Sequence, residues 1–328
     1  MDAKLMARAL RLNSGMHEVA SGIRRVTFPL PLGIDHVHCY FLAAADGSWT
    51  VVDTGLGLPG AEERWAPILA ELDGPLERIV VTHFHPDHVG DSAPLAELSG
   101  AAVFQSRVDH VQCTRVWGDG RSPQRLARHM LAHGMPEAEV DEARRDSDGL
   151  VRLVNPAADP QPLEPGDEIA GWEVVHLPGH ADGHLGLLRP GELIAGDALL
   201  AEISPNVGLY PEARPDPLGD YLRSLERIVE FAPTVAFAGH GPPIADPVGR
   251  ARELQDHHRE RLDVALSALG DGPRTAYEVS LVVFGAELSP SLRRFALAES
   301  LAHLERLVRE QRAERIDEGA RVLYAATG

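Results

Sequence analysis

The chain has 328 residues, 44% hydrophobic and 24% charged, with a formal net charge of −18. This is the composition of a soluble globular protein, long enough for one large domain and a small one. The negative charge argues against binding nucleic acid through the whole surface, and no apolar run approaches the roughly 20 residues that span a bilayer. The acidity is uneven: residues 1–248 carry 19 Lys+Arg against 36 Asp+Glu, and residues 249–328 carry 12 against 13. The opening Met1-Asp2-Ala3-Lys4-Leu5 holds an acidic side chain and starts no long apolar stretch, so no secretory signal is expected. The two cysteines, Cys39 and Cys113, lack C-x-x-C spacing and read as small buried hydrophobes in a reducing cytoplasm.

Residues 1–13 have the spacing of a short helix with Leu5, Met6, Ala9 and Leu10 on one face, an arm or a homodimer contact. Strand-like runs follow at 23–28, 37–43 and 49–52, the last ending in the Gly-rich turn Asp53-Thr54-Gly55-Leu56-Gly57. Residues 60–72 have helical spacing, stopped by Gly74-Pro75, and a strand at 78–81 and a helix near 92–98 come next. The stretch 106–148 reads as short helices at about 123–133 and 136–146, inserted between core elements. It is either a cover over an active site or a peripheral decoration. Strands are expected at 150–154, 173–177, 185–189, 192–195 and 235–238, with a helix at 218–231. This alternation indicates a layered α/β protein.

The pattern changes after Pro247. Residues 250–269 read as one helix, ended by Gly270-Asp271-Gly272-Pro273. Thr275 caps a second helix over 276–284, and Ser289-Pro290 opens a third to about 310. Residues 313–316 and 320–325 then look like a hairpin. Three helices and a hairpin make a winged-helix-like unit, so the expected division is 1–248 and 249–328. Arg293, Arg294, Arg306, Arg309, Arg312 and Arg315 can form a basic face for nucleic acid. Interleaved Glu299, Glu305, Glu310 and Glu314 favour instead a solvated helix that packs on the larger domain.

The chemistry concentrates in residues 82–90, Thr-His-Phe-His-Pro-Asp-His-Val-Gly, directly after Ile79-Val80-Val81. In an extended segment residues i and i+2 share a side, so His83 and His85 can reach one ion. Pro86 disfavours helical geometry at His85 and turns the chain, which lets Asp87 and His88 approach from a second direction. Three later strand-to-loop junctions repeat the arrangement: Leu177-Pro178-Gly179-His180, Ala195-Gly196-Asp197 and Ala238-Gly239-His240-Gly241-Pro242. Each alone is more often a turn than a ligand, but the four together form a strong signal.

With His83, His85, Asp87, His88, His180, Asp197 and His240 in this order, residues 20–248 resemble the metallo-β-lactamase superfamily of hydrolases. The resemblance implies an αββα sandwich with the metal site at one edge. It implies that His83, His85 and His180 bind one metal, that Asp87, His88 and His240 bind a second, and that Asp197 bridges them. Asp53 corresponds to a recurrent acid of the superfamily that accepts from a ligand imidazole or ties the loop. The C-terminal unit resembles the small domain of a lactamase-like branch that includes a mitochondrial endoribonuclease.

Independently of that resemblance, seven N/O ligands exceed the four of a tetrahedral zinc, so two divalent ions are the economical reading. Zinc is expected, with iron or manganese as alternatives. Binding to zinc drops the pKa of water from about 15.7 to roughly 7, and Asp87 is placed to accept a proton. His184 reads as a hydrogen-bonding or packing residue. Tyr210 either reaches substrate or caps its own loop, and His36 and His38 either line the pocket or are ordinary strand histidines. The expected function is hydrolysis of a small thioester or ester by metal-bound hydroxide. The rivals are lactone hydrolysis, RNA cleavage and a non-enzymatic metal-binding module; the complete ligand set opposes the last.

Overall fold

The structure, a computed structural model, describes residues 14–31, 34–118 and 120–327. The helix expected over residues 1–13 lies outside them. Among the described residues, one sheet is formed by β1 (Ser14–Ala20), β2 (Ile23–Pro29), β3 (His36–Ala43), β4 (Trp49–Val52), β5 (Leu76–Val81), β6 (Ala102–Gln105) and β7 (Gln161–Pro162), paired in that order. The pairs from β1 to β4 are antiparallel, and those from β4 to β7 are parallel. A second sheet has the order β12-β11-β10-β9-β8, built from β8 (Glu168–Ile169), β9 (Trp172–His176), β10 (Leu185–Arg189), β11 (Glu192–Gly196) and β12 (Val235–Ala238).

The two-residue period of the strands sorts their side chains into layers. In β3, Tyr40 and Leu42 face the second sheet, where with Val52 and Val80 they meet Trp172, Val174, Leu187 and Phe237. Cys39 and Phe41 of the same strand point the other way, with Val51, Ile79 and Val81. They pack on Trp65 of α1 (Ala61–Ala70) and on Leu95, beyond the single turn α2 (Pro86–Val89), in α3 (Ser92–Ser99). Both faces of β3 are therefore core, and truncating Phe41 to Ala would cost about 3–5 kcal/mol. On the far side of the second sheet, Val175, Leu193 and Ala236 are covered by helices that follow the insertion. This is an αββα sandwich.

The insertion contains α4 (Arg107–Cys113), a π-helical turn (Thr114–Gly118), α5 (Ser122–Ala132) and α6 (Glu137–Val151). After it come α7 (Pro217–Phe231) and α8 (Pro247–Leu269), each capped by an aspartate, Asp216 or Asp246, with proline at the first helical position. The C-terminal segment adds α9 (Ala276–Phe284), opened by a Thr275–Glu278 capping box, α10 (Pro290–Arg309) and the hairpin β13 (Ala313–Glu318) with β14 (Arg321–Ala326). Leu301, Leu304 and Leu307 of α10 join Leu225 of α7 and Leu254 of α8 in one core. Met130, Met135, Val140 and Ala143 of the insertion close on Leu297 of α10. No helix among the described residues is long and apolar enough to cross a membrane.

Residues 150–154, expected as a strand, instead finish α6 and turn. Leu153 and Val154 are buried, and Gly57 N–H donates to Leu153 O at 2.9 Å. A short apolar run meets its burial demand in a loop as well as in a sheet. β1 and β6 were not anticipated from the sequence; β1 is an edge strand with little apolar alternation.

Candidate metal centre

β4, β5, β9, β11 and β12 all end at the same edge of the sandwich, and each feeds a loop of ligand-type residues. Bonds between the sheets clamp this edge. Leu185 N–H donates to Thr82 O at 2.9 Å, His38 N–H to Gly239 O at 2.8 Å, and the Tyr40 hydroxyl to Ala238 O at 2.7 Å. Two glycines are dictated by crowding. A Cβ on Gly239 would stand 2.4 Å from Asp197 Oδ1 and 2.7 Å from His88 Cε1. Gly179 has φ 131°, and its Cβ would meet Tyr221 Cβ at 2.4 Å.

The seven sequence-predicted ligands converge at this edge. His83, His85 and His180 form one cluster, Asp87, His88 and His240 another, and Asp197 groups with His83 and His88. His83 Nε2 lies 3.1 Å from His85 Nδ1. Asp197 Oδ2 lies 3.6 Å from His180 Nε2, 3.4 Å from His88 Nε2 and 3.2 Å from His240 Nε2. Asp87 Oδ2 is 3.4 Å from His240 Nε2 and 3.9 Å from His88 Nε2. Ligands about 2.1 Å from a tetrahedral ion stand about 3.4 Å apart, and these distances of 3.1–3.9 Å scatter around that spacing. Nε2 of His88, His180 and His240 and Asp197 Oδ1 are buried and make no hydrogen bond. Buried polar atoms rarely go unpartnered, and lone pairs converging at these spacings fit a divalent cation.

The electrostatics favour the same occupant. Burial and the neighbouring imidazoles hold His83, His85 and His184 well below the usual histidine range, so all three are neutral, the form in which His83 and His85 can ligate a metal. Burial also lowers His180, against the pull of Asp197. At His88 and His240 burial is outweighed by Asp197 and its neighbouring carboxylates, which raise His88 well above 6.5 and His240 to about 9. Asp197, despite burial, is held well below the carboxylate range by His240 and His88. These carboxylates stabilise positive charge at the site, whether a proton or a metal ion supplies it.

A second set of bonds fixes the imidazoles of His83, His88, His180 and His240. Asp53 Oδ2 accepts from His88 Nδ1 at 2.8 Å and from the Thr82 hydroxyl at 2.9 Å, and Asp53 Oδ1 accepts from Thr82 N–H at 2.8 Å. With its proton given to Asp53, Thr82 Oγ1 is the acceptor for His83 Nδ1 at 2.9 Å. His180 Nδ1 donates to Asn206 O at 2.8 Å and His240 Nδ1 to His36 O at 2.6 Å. In each case the bond keeps a proton on Nδ1, so that Nε2 is the nitrogen an ion would take. Sequence reasoning found Asp53 but missed Thr82, whose hydroxyl beside the His-rich run was the available signal. It named His36 only as a pocket or strand histidine and gave Asn206 no role, since both support the ligands through backbone carbonyls, which leave no such signal.

His184 accepts from Asp197 N–H at 3.1 Å through Nε2 and stacks on His83, so it holds the central carboxylate in place without joining a ligand cluster. Both ring nitrogens of His38 are engaged, with Thr27 Oγ1 at 2.9 Å and Gly241 O at 2.9 Å. His38 therefore ties β3 to the His240 loop. The Tyr210 hydroxyl donates to Asn206 Oδ1 at 2.9 Å, within its own loop. The insertion reaches the site through Trp117, whose Nε1 donates to Phe84 O at 2.7 Å, between His83 and His85.

The metallo-beta-lactamase superfamily profile matches residues 32–240, and a metallo-beta-lactamase-like C-terminal domain profile matches residues 262–324. A crystal structure of a metallo-beta-lactamase family protein from Thermus thermophilus is 39% identical, covering 94% of this chain and all of that one, with a TM-score of 0.81. A probable metallo-hydrolase of Bacillus subtilis is 28% identical over 91% of this chain and 96% of its own. An atrochrysone carboxyl ACP thioesterase of Claviceps purpurea is 24% identical over 75% of this chain and 66% of its own. The converging ligand set and these matches agree: the chain belongs to the metallo-β-lactamase superfamily and is a metallo-hydrolase.

Proposed function

We propose that the chain is a two-metal hydrolase of small thioesters or esters. The observation that carries this reading is the division of the ligands. His83, His85 and His180 face one point and Asp87, His88 and His240 another, while Asp197 Oδ2 lies within 3.6 Å of His180 and 3.2 Å of His240. Zinc suits these N/O donors, with iron or manganese as alternatives. Bound there, the ions would supply Lewis-acid activation of water and of a substrate carbonyl.

The chain's own residues do the rest. Thr82, Asn206 and His36 orient the imidazoles of His83, His180 and His240. Asp87, 14% exposed at its side chain, is the ligand carboxylate most open to solvent. Its Oδ2 is placed to take a proton from attacking water and return it to the leaving group. The likeness to a named thioesterase supports a thioester over a lactone. The buried, unpaired cysteines agree with action in the cytoplasm.

The RNA reading receives less support. Arg293 is buried against Ser280 and Gly285, and Arg294 stacks over Phe295. Arg306 and Arg309 pair with Asp216, Arg312 with Asp263 and Arg315 with Glu305. The arginines of the expected basic face are thus engaged within the fold. The test is a panel of acyl thioesters, esters, lactones and single-stranded RNA, presented to zinc-, manganese- and iron-loaded protein with the bound metal counted. Two ions per chain and preferential thioester or ester turnover are expected. One ion per chain, or cleavage of RNA alone, overturns the proposal.

A further inference from the structure

The loop after Asp197 is held from the C-terminal segment. Leu209 N–H donates to Ala298 O of α10 at 2.9 Å, and a Cβ on Gly208 would stand 3.0 Å from Ala298 Cβ. Asn206 Nδ2 donates to Glu299 Oε2 at 3.0 Å and lies 3.5 Å from Phe295 O, while Asn206 Oδ1 accepts from Tyr210. Both ends of this side-chain amide are therefore fixed, and α10 supplies the acidic end. Glu299 is 7% exposed, and burial pushes its carboxyl up to about 7. The residue so fixed presents its backbone carbonyl to His180 Nδ1 at 2.8 Å.

We infer that Glu299 and Asn206 are positioning residues for His180, through which the C-terminal segment sets the metal affinity of the His83–His85–His180 cluster. The argument follows from the tautomer. His180 can offer Nε2 to an ion only while Nδ1 carries the proton, and Asn206 O keeps it there. Without Glu299 the amide is left with only the 3.5 Å approach to Phe295 O. The loop keeps its Leu209–Ala298 bond but loses the anchor at the Asn206 side chain, and the acceptor moves away from Nδ1. The inference rests on the proposed reading of His180 as a metal ligand.

The test uses the full chain as wild type, Glu299→Gln, Glu299→Ala and Tyr324→Phe, stripped of metal and titrated with Co2+ against a chromophoric chelator. Tyr324 donates to Glu305 Oε1 at 2.7 Å on the same helix, away from the loop, so its variant controls for a general weakening of the C-terminal segment. Glu299→Ala is expected to weaken one of two Co2+ sites about 10–100-fold and to change the visible spectrum of that site, while Glu299→Gln, which keeps an acceptor, stays within about threefold of wild type. Should Glu299→Ala fail to fold, Asn206→Ser removes the same amide contact and is read the same way. Wild-type affinity and spectrum in Glu299→Ala, with only the unfolding temperature lowered as in Tyr324→Phe, would overturn the inference. A wild-type chain that binds no Co2+ would instead overturn the metal reading of His180 itself.

Discussion

Thr82→Val tests the bond network at its narrowest point. Thr82 Oγ1 stands 2.9 Å from both Asp53 Oδ2 and His83 Nδ1, and Thr82 and His83 are 1% and 0% exposed. Valine keeps the shape but removes the acceptor, so the His83 Nδ1 proton is left buried without a partner at a cost of about 1–3 kcal/mol. The ring escapes that cost by moving its proton to Nε2, the atom that faces the cluster. The penalty then falls on metal binding: about 1.4–2.7 kcal/mol corresponds to a 10–100-fold loss of affinity. Competition with a chelator measures it, and Thr82→Ser, which restores the hydroxyl, should return most of the loss. Unchanged metal affinity in Thr82→Val, with Thr82→Ser no better, would refute the assignment of the Thr82 hydroxyl as the His83 acceptor.

Three further outcomes are expected. His85→Ala should lower turnover of the best panel substrate on the order of 1,000-fold, with reduced bound metal in plasma emission measurements; unchanged turnover would sink the metal mechanism. Gly239→Ala places a Cβ 2.4 Å from Asp197 Oδ1, so circular dichroism should show a folded chain, about 1–3 kcal/mol less stable, that retains less metal. Asp109 is fully buried and accepts from Gln105 Nε2 at 2.6 Å, and burial pushes its carboxyl up to about 7. The fold thus prefers the protonated acid: its stabilising effect is complete below about pH 4 and is lost as pH rises toward about 7. The total is on the order of 4 kcal/mol at about 1.4 kcal/mol per tenfold change in proton affinity. The urea midpoint of Asp109→Asn, taken relative to wild type, should therefore rise between pH 5 and pH 8, and a flat difference would contradict the burial argument.

What could be read from the sequence follows from what each part of the site demands of a side chain. A metal ion accepts few donor types, so His83, His85, Asp87, His88, His180, Asp197 and His240 stood out by identity, and the strands before them by their apolar runs. The alternation of strands and helices indicated a layered α/β protein, and the αββα arrangement came from the family resemblance that the ligand set carries. Leu153 and Val154 misled because burial alone does not separate a loop from a strand. The supports of the imidazoles divide along a chemical line. Asp53 and Thr82 act through side chains and leave a mark in the sequence, whereas Asn206 and His36 act through carbonyls that every residue has. Substitution at Asp53 removes an acceptor outright, while substitution at Asn206 can only move one. The affinity lost at Asn206 should therefore be smaller than at Asp53, and it should depend on Glu299, the contact that holds the carbonyl where it is.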